Sequence, residues 1–240
     1  MKIHAIAFDA DDTLWHNEDW FASTEDSFAK LMQTWACEAE ARRSLLDTET
    51  RNLAVFGYGV KSFTLSMIEA AMTLSGGDVS AHDLAQLMEL GRAMLERPAE
   101  LLPNVRNVLS ALDGQHRLVL ITKGELHHQE RKVAGSGLAE FFDAVEVVSE
   151  KDSTTYARLA QRHGIEVSGL VMVGNSVKSD ILPIVELGGV GIHIPYSVTW
   201  AHEVVADDHL HTYERNADRA RYWELQNISE VPSLIDRLLN

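Results

Sequence analysis

Asp9 and Asp11, two residues apart at the end of the apolar run IHAIAF and followed by Thr13, are the residues of this chain best placed to do chemistry. In an extended strand side chains alternate between faces, so positions i and i+2 point the same way and two carboxylates converge on one small volume. Like charges that close coexist when a divalent cation lies between them, or when one keeps a proton while the other is ionised. Either condition describes a reaction centre. Other reactive side chains also stand at the ends of apolar runs: Thr122-Lys123-Gly124 after LVLI, Lys151 shortly after AVEVV, and Gly174-Asn175-Ser176 after LVMV, with Asp180 beyond. A carboxylate nucleophile, an acid/base, a hydroxyl donor, a lysine and hard oxygen ligands are the inventory for moving a phosphoryl group.

The elements that must position these groups are legible from the pattern of apolar residues. Runs at 3–9, 117–122, 144–148, 169–174 and 189–194 are rich in Val and Ile and read as strands buried on both faces of a parallel sheet. Helical periodicity at 104–114, 126–139, 152–163 and 180–187 separates them. The expected fold is α/β, a doubly wound parallel sheet in which the strand ends gather at one edge and ligands bind at the carboxyl ends of the strands. Between about 17 and 100 the alternation breaks into long helical patterns at 19–47, 61–75 and 81–96 with no convincing strand. This stretch reads as an inserted helical domain, which divides the chain into a core of 1–16 and 101–240 and a helical insert of 17–100 suited to act as a lid. After residue 200 the chain is polar until an apolar helix at 229–239.

Composition narrows the partners. Neither the apolar runs nor the N-terminal MKIHAIAF make a membrane span or a signal peptide, so a soluble cytoplasmic protein is expected. A formal net charge of −15 disfavours a nucleic-acid polymer or an anionic membrane surface as partner, while leaving room for a small anion met by a local metal or lysine. Cys37, the single cysteine, excludes an internal disulfide and reads as a small buried hydrophobe. The adjacent His127 and His128 read as surface groups, because no metal-binding histidine spacing occurs.

The segments FDADDTL, LVLITKG, SEKD and VGNSVKSD resemble the four sequential motifs of the haloacid dehalogenase-like hydrolase superfamily. The resemblance covers roughly 1–16 and 101–195, and the intervening helices resemble the cap that one class of the superfamily inserts after its first strand. It implies that Asp9 attacks phosphorus and forms an aspartyl-phosphate. It also implies that Asp11 protonates the leaving alcohol as the bond to phosphorus breaks and later activates water, its backbone carbonyl binding Mg²⁺. Asn175 stands where most relatives carry a metal-binding Asp, so one negative charge is missing; Asn coordinates through its carbonyl, and Asp180 would compensate or orient a metal-bound water. Asp9 is expected to be held ionised by Mg²⁺ and Lys151, while Asp11 gains and loses a proton. Thr122 and the backbone N–H of Lys123 would bind phosphoryl oxygens, and Lys151 would neutralise charge. Lys132 is set aside as lying inside a helix. Ser176 and Lys178 are candidates for ligand positioning, Asp180 doubles as a helix N-cap, and Asp12 caps the turn after the first strand.

In the insert, the segment from Phe56 to Phe63 mixes glycines, aromatics and Lys61, which suits a loop that touches the leaving group of an anionic substrate. The run His193 to Tyr196 continuing through Trp200 to Glu203 follows a strand and carries no assigned role. The function expected is a Mg²⁺-dependent phosphatase acting on a small phosphorylated metabolite, either a nucleoside monophosphate or a sugar phosphate, as a monomer or homodimer. The alternatives are a 2-haloacid dehalogenase or phosphomutase of the same superfamily, and a catalytically weak regulatory or binding protein in which Asn175 marks a decayed metal site. Asp11 argues against the dehalogenase, since a departing halide needs no proton.

Overall fold

The computed structural model describes residues 1–198 and 221–240. The chain forms two compact units: Met1–His16 with Ala99–Lys123 and Gln129–Asn240, and Asn17–Pro98 with Gly124–His128. In the first unit the strands are β1 (Ala5–Phe8), β2 (Leu118–Lys123), β3 (Ala144–Val148), β4 (Leu170–Gly174), β5 (Val190–His193) and β6 (Tyr222–Glu224). They form one sheet in the order β3-β2-β1-β4-β5-β6, and all five pairings are parallel. The doubly wound parallel sheet expected from the sequence is thus present. β1 lies in the middle, so Asp9, the next residue, is delivered to the centre of the carboxyl edge.

Alternation along each buried strand divides the core in two. Ile6 and Phe8 of β1, Leu118 and Leu120 of β2, and Val171 and Val173 of β4 face one side, where they pack with Val105, Val108 and Leu109 of helix Val105–Leu112 and with Val231, Leu234 and Ile235 of the C-terminal helix Val231–Leu239. Ala5, Ala7, Val119, Ile121, Leu170 and Met172 face the other, against Tyr156 and Leu159 of helix Ser153–His163 and Ile184 of the short helix Leu182–Glu186. Two-sided burial is why these strands read as nearly unbroken apolar runs. β6 escaped the sequence reading because its three residues, Tyr-Trp-Glu, are an edge strand without an apolar run.

The second unit holds α1 (Glu18–Leu31), α2 (Glu38–Phe56), α3 (Val60–Leu74) and α4 (Ala81–Glu96) around a core that includes Phe28, Leu45, Phe63, Met67 and Leu87. The single helical pattern expected over 19–47 is two helices, because the chain passes through a short 3₁₀ turn at Met32–Thr34 and breaks before Glu38. Cys37 occupies the extended N-cap position in that break and is exposed, which corrects the expectation of a buried thiol. Phe56, at the end of α2, is half exposed. Among the described residues no helix is long and apolar enough to cross a membrane. Trp200 to Glu203 lie outside the described residues.

Candidate active site

Three loops at the carboxyl edge of the sheet converge on Asp9. The backbone N–H of Asp9 donates to Val173 O at 2.9 Å, extending the β1–β4 pairing by one residue and fixing where the side chain starts. The chain then doubles back: Leu14 N–H donates to Ala10 O at 2.8 Å and Asp12 N–H to Trp15 O at 2.7 Å. Asp12 accommodates this with a left-handed backbone, φ +63°, a conformation Asp tolerates better than most residues. It therefore shapes the turn through its own backbone, and the helix that follows has Asn17 at its N-cap.

Asp9 is buried, and both carboxylate oxygens are engaged. Oδ1 accepts from the Lys151 ammonium and Oδ2 from the Thr13 hydroxyl at 2.9 Å. Lys151 also donates to Asp180 Oδ1 at 2.7 Å, so one buried ammonium bridges two buried carboxylates. Asp180 Oδ2 accepts from the backbone N–H of Ser176 at 3.0 Å. This corrects the expected N-cap role, because Asp180 sits within a wide turn, Val177–Ile181, whose own N-cap is Ser176, accepting from Ser179 N–H at 3.1 Å. Glycine at 174 is required here, since a Cβ on it would run into the Asp180 carboxylate. Asn175 meets Thr13 Oγ1 through Oδ1 at 3.3 Å, and its backbone carbonyl lies 3.1 Å from His193 Nε2.

Asp11 has a different set of partners. Trp15 Nε1 donates to its Oδ1 at 2.6 Å, Lys132 Nζ lies 2.5 Å from the same oxygen, and Gln129 Nε2 donates to Oδ2 at 2.9 Å. Gln129 Nε2 also donates to the backbone carbonyl of Lys123 at 2.8 Å. Gln129 and Lys132 are one turn apart on the helix after β2, Leu126–Ser136, and both are buried. Sequence reasoning passed over this pair and set Lys132 aside. The available signal was the i, i+3 spacing of two polar groups on a helix that packs against the sheet.

Before any metal is added, the two carboxylates are held differently. Burial pushes the Asp9 carboxyl up, to about 7, because desolvation and the neighbouring Asp180 outweigh the attraction of Lys151. Burial acts on Asp11 too, yet Lys132 and the hydrogen bonds from Gln129 and Trp15 prevail and hold it below the usual carboxylate range. The Lys151 ammonium is raised: burial opposes its charge, but Asp180 and Asp9 more than compensate. The sequence reading had Asp9 held low by Lys151 together with a metal; lysine alone is insufficient against desolvation.

Thr122 is buried at the end of β2, its hydroxyl 3.4 Å from Lys123 O, and the Lys123 ammonium donates to Ser179 Oγ at 2.9 Å. β2 and the turn after β4 are thereby tied together. Lys178 is exposed. Lys61, in the helical unit, forms an ion pair with Glu125 of that unit. His127 is exposed, but His128 is buried, which corrects its assignment to the surface: successive positions on a helix point about 100° apart, and His128 falls on the inner side. Among the described residues no three His, Cys, Asp or Glu side chains converge as a ready metal cage. The Asp9 carboxylate and the Asn175 side-chain carbonyl, joined through the Thr13 hydroxyl, are hard oxygen donors of the kind that Mg²⁺ takes.

A parallel doubly wound sheet with a buried carboxylate at the centre of its carboxyl edge, bridged by lysine to a second carboxylate, defines a class of hydrolases. The family model for haloacid dehalogenase-like hydrolases matches residues 3–188, and the chain belongs to that family. A haloacid dehalogenase-like family hydrolase from Xanthomonas campestris is 37% identical in sequence, with a TM-score of 0.85 over 98% of this chain and 91% of that one. The chain is also similar to pyrimidine 5′-nucleotidase YjjG of Escherichia coli (strain K12), 24% identical over 249 residues spanning 98% of this chain and 99% of that protein. The HAD-hydrolase YfnB of Bacillus subtilis, solved bound to magnesium, shares the fold at 17% identity and a TM-score of 0.64, covering 98% of this chain and all of that one. Phosphatases and haloacid dehalogenases both occur among the structures of the same fold. The protein is a hydrolase.

Proposed function

We propose that the protein is a Mg²⁺-dependent phosphatase that hydrolyses a small phosphomonoester through an aspartyl-phosphate on Asp9. The observation that carries the reading is the sorting of two carboxylates from one turn onto separate cations, Asp9 onto Lys151 and Asp11 onto Lys132, 2.5 Å away. Two roles need two differently held groups. An Asp9 oxygen attacks phosphorus while the bond to the ester oxygen breaks. Asp11, once protonated, delivers its proton to the departing alkoxide. Asp11 then takes a proton from the water that cleaves the acyl-phosphate, releasing inorganic phosphate and restoring Asp9. Thr122 and the Lys123 N–H hold phosphoryl oxygens, and Lys151 balances the charge that gathers on them. Asp9, Asn175 and the Asp11 carbonyl would hold Mg²⁺, with Asp180 orienting its water shell; the dication supplies Lewis-acid stabilisation of the phosphoryl oxygens and draws the Asp9 carboxyl back toward ionisation.

The helical unit, inserted in the chain between β1 and the helix Val105–Leu112, acts as a cap that selects the leaving group, with Lys61 meeting an anionic substrate. Similarity to a pyrimidine 5′-nucleotidase puts nucleoside monophosphates first in the substrate panel, ahead of sugar phosphates. The protein works in the cytoplasm on a free metabolite. Asp11, with its own cation and two further donors, has no task in halide displacement, which favours phosphoryl transfer over dehalogenation. The test is release of p-nitrophenol from p-nitrophenyl phosphate with and without Mg²⁺, beside Asp9→Asn. Metal-dependent release abolished by the substitution supports the reading. Release that survives Asp9→Asn, or none from any ester in a nucleotide and sugar phosphate panel, overturns it.

A further inference from the structure

We propose that Gln129 and Lys132 are positioning residues that set the Asp11 carboxylate in register with the phosphoryl-binding loop. The inference rests on the phosphatase reading above and deepens it. Asp11 Oδ1 is shared by Lys132 at 2.5 Å and Trp15 Nε1 at 2.6 Å, and Oδ2 is taken by Gln129 at 2.9 Å. Three donors on two oxygens leave the carboxylate one orientation. Gln129 does more than hold it: the same amide nitrogen reaches Lys123 O at 2.8 Å, so one side chain ties the acid/base to the backbone that follows Thr122. A proton donor and the oxyanion donors it must work beside are thereby fixed to each other through two hydrogen bonds.

The arrangement is expensive for a purely structural contact. Gln129 Oε1 is buried and makes no hydrogen bond among the described residues. A buried amide carbonyl without a protein partner is unfavourable, and an apolar residue there would avoid it. The amide cannot turn over to relieve this, because its nitrogen faces two acceptors, the Asp11 carboxylate and the Lys123 carbonyl. Lys132 likewise carries a charge into the interior where helix packing would be served by a methionine or leucine. Both residues give up stability in order to aim Asp11.

General acid assistance matters most for poor leaving groups, so the experiment compares kcat/KM for p-nitrophenyl phosphate and phenyl phosphate in wild type, Asp11→Asn, Gln129→Leu, Lys132→Met and Lys132→Arg. If the pair positions the acid, Gln129→Leu and Lys132→Met lose about tenfold more activity on phenyl phosphate than on p-nitrophenyl phosphate, in the direction of Asp11→Asn. Lys132→Arg, which keeps a charged donor, falls between them and wild type. Equal losses on both esters overturn the proposal, as does a loss confined to KM. A gain on phenyl phosphate would also refute positioning. The clamp is read without turnover from the indole N–H resonance of Trp15, assigned by its disappearance in Trp15→Phe; it shifts in Gln129→Leu and Lys132→Met if all share Asp11, and an unmoved resonance refutes the shared contact. Wild type inactive on both esters with a shifting resonance sinks the phosphatase reading instead.

Discussion

Removing the ammonium that bridges Asp9 and Asp180 is the most severe single perturbation the site offers, and its cost follows from burial. The side chain of Lys151 is 2% exposed, that of Asp180 1% and that of Asp9 8%. With lysine the trio carries a net charge of −1; in Lys151→Met it carries −2 in the same desolvated volume. Breaking a buried ion pair costs about 3–5 kcal/mol, about a fifth or more of a stability of about 5–15 kcal/mol. The loss is moderated because Asp9, whose carboxyl already stands at about 7, takes up a proton readily. That escape makes the penalty depend on pH. A carboxyl raised above its unfolded value contributes stability that is complete below the unfolded value, near 3.8, and is lost as pH rises through the folded one. In the metal-free wild type this loss is over slightly above pH 7. In Lys151→Met the folded value climbs further, so stability keeps falling, and the gap to wild type widens by about 1.4 kcal/mol per pH unit above pH 7. Urea denaturation followed by circular dichroism at pH 6, 7 and 8.5, with chelator present, measures it. A gap below about 1 kcal/mol, or one that stays constant from pH 7 to 8.5, would refute the buried trio.

Three further outcomes are expected. Asn175→Asp restores a charged oxygen beside Asp9 and tightens Mg²⁺ binding by about tenfold in calorimetric titration; unchanged affinity would remove Asn175 from the ligand set. Lys61→Ala loses the ion pair with Glu125, whose lysine partner is 60% exposed, so the stability read from urea denaturation falls by less than about 1 kcal/mol while KM for an anionic substrate rises. An unchanged KM across nucleotide and sugar phosphates would take Lys61 out of substrate binding. Gly174→Ala drives a methyl group into the Asp180 carboxylate and destabilises by about 2 kcal/mol or more, with loss of activity; a well-folded, fully active variant would mean that Asp180 does not pack where the structure has it.

The parallel core was legible because strands buried on both faces must be apolar at nearly every position. β1, β2, β4 and β5 therefore announce themselves, and β3, a partly buried edge strand, is marked by its valines, while β6, three residues at the other edge, leaves no such trace. The long helical pattern over 19–47 hid a break, since Met32 to Cys37 contains neither Gly nor Pro to mark it. Asp9 and Asp11 were legible for a different reason: a charge at the end of an apolar strand is costly, and two of them at i and i+2 need a chemical purpose.

The sequence by itself determined the fold class, the order of the motifs and which side chains could react, because these follow from local periodicity and from residues close along the chain. Tertiary structure alone decided who neutralises whom. Lys151, 142 residues from Asp9, spans that carboxylate and Asp180, and Lys132 with Gln129, from a helix read as uninvolved, takes Asp11. Such pairings are set by the crossover connections of the sheet, which bring β1, β2, β3 and β4 to one edge. The protonation of each carboxylate follows from the balance of burial and neighbouring charge at that edge, a quantity with no counterpart along the linear chain.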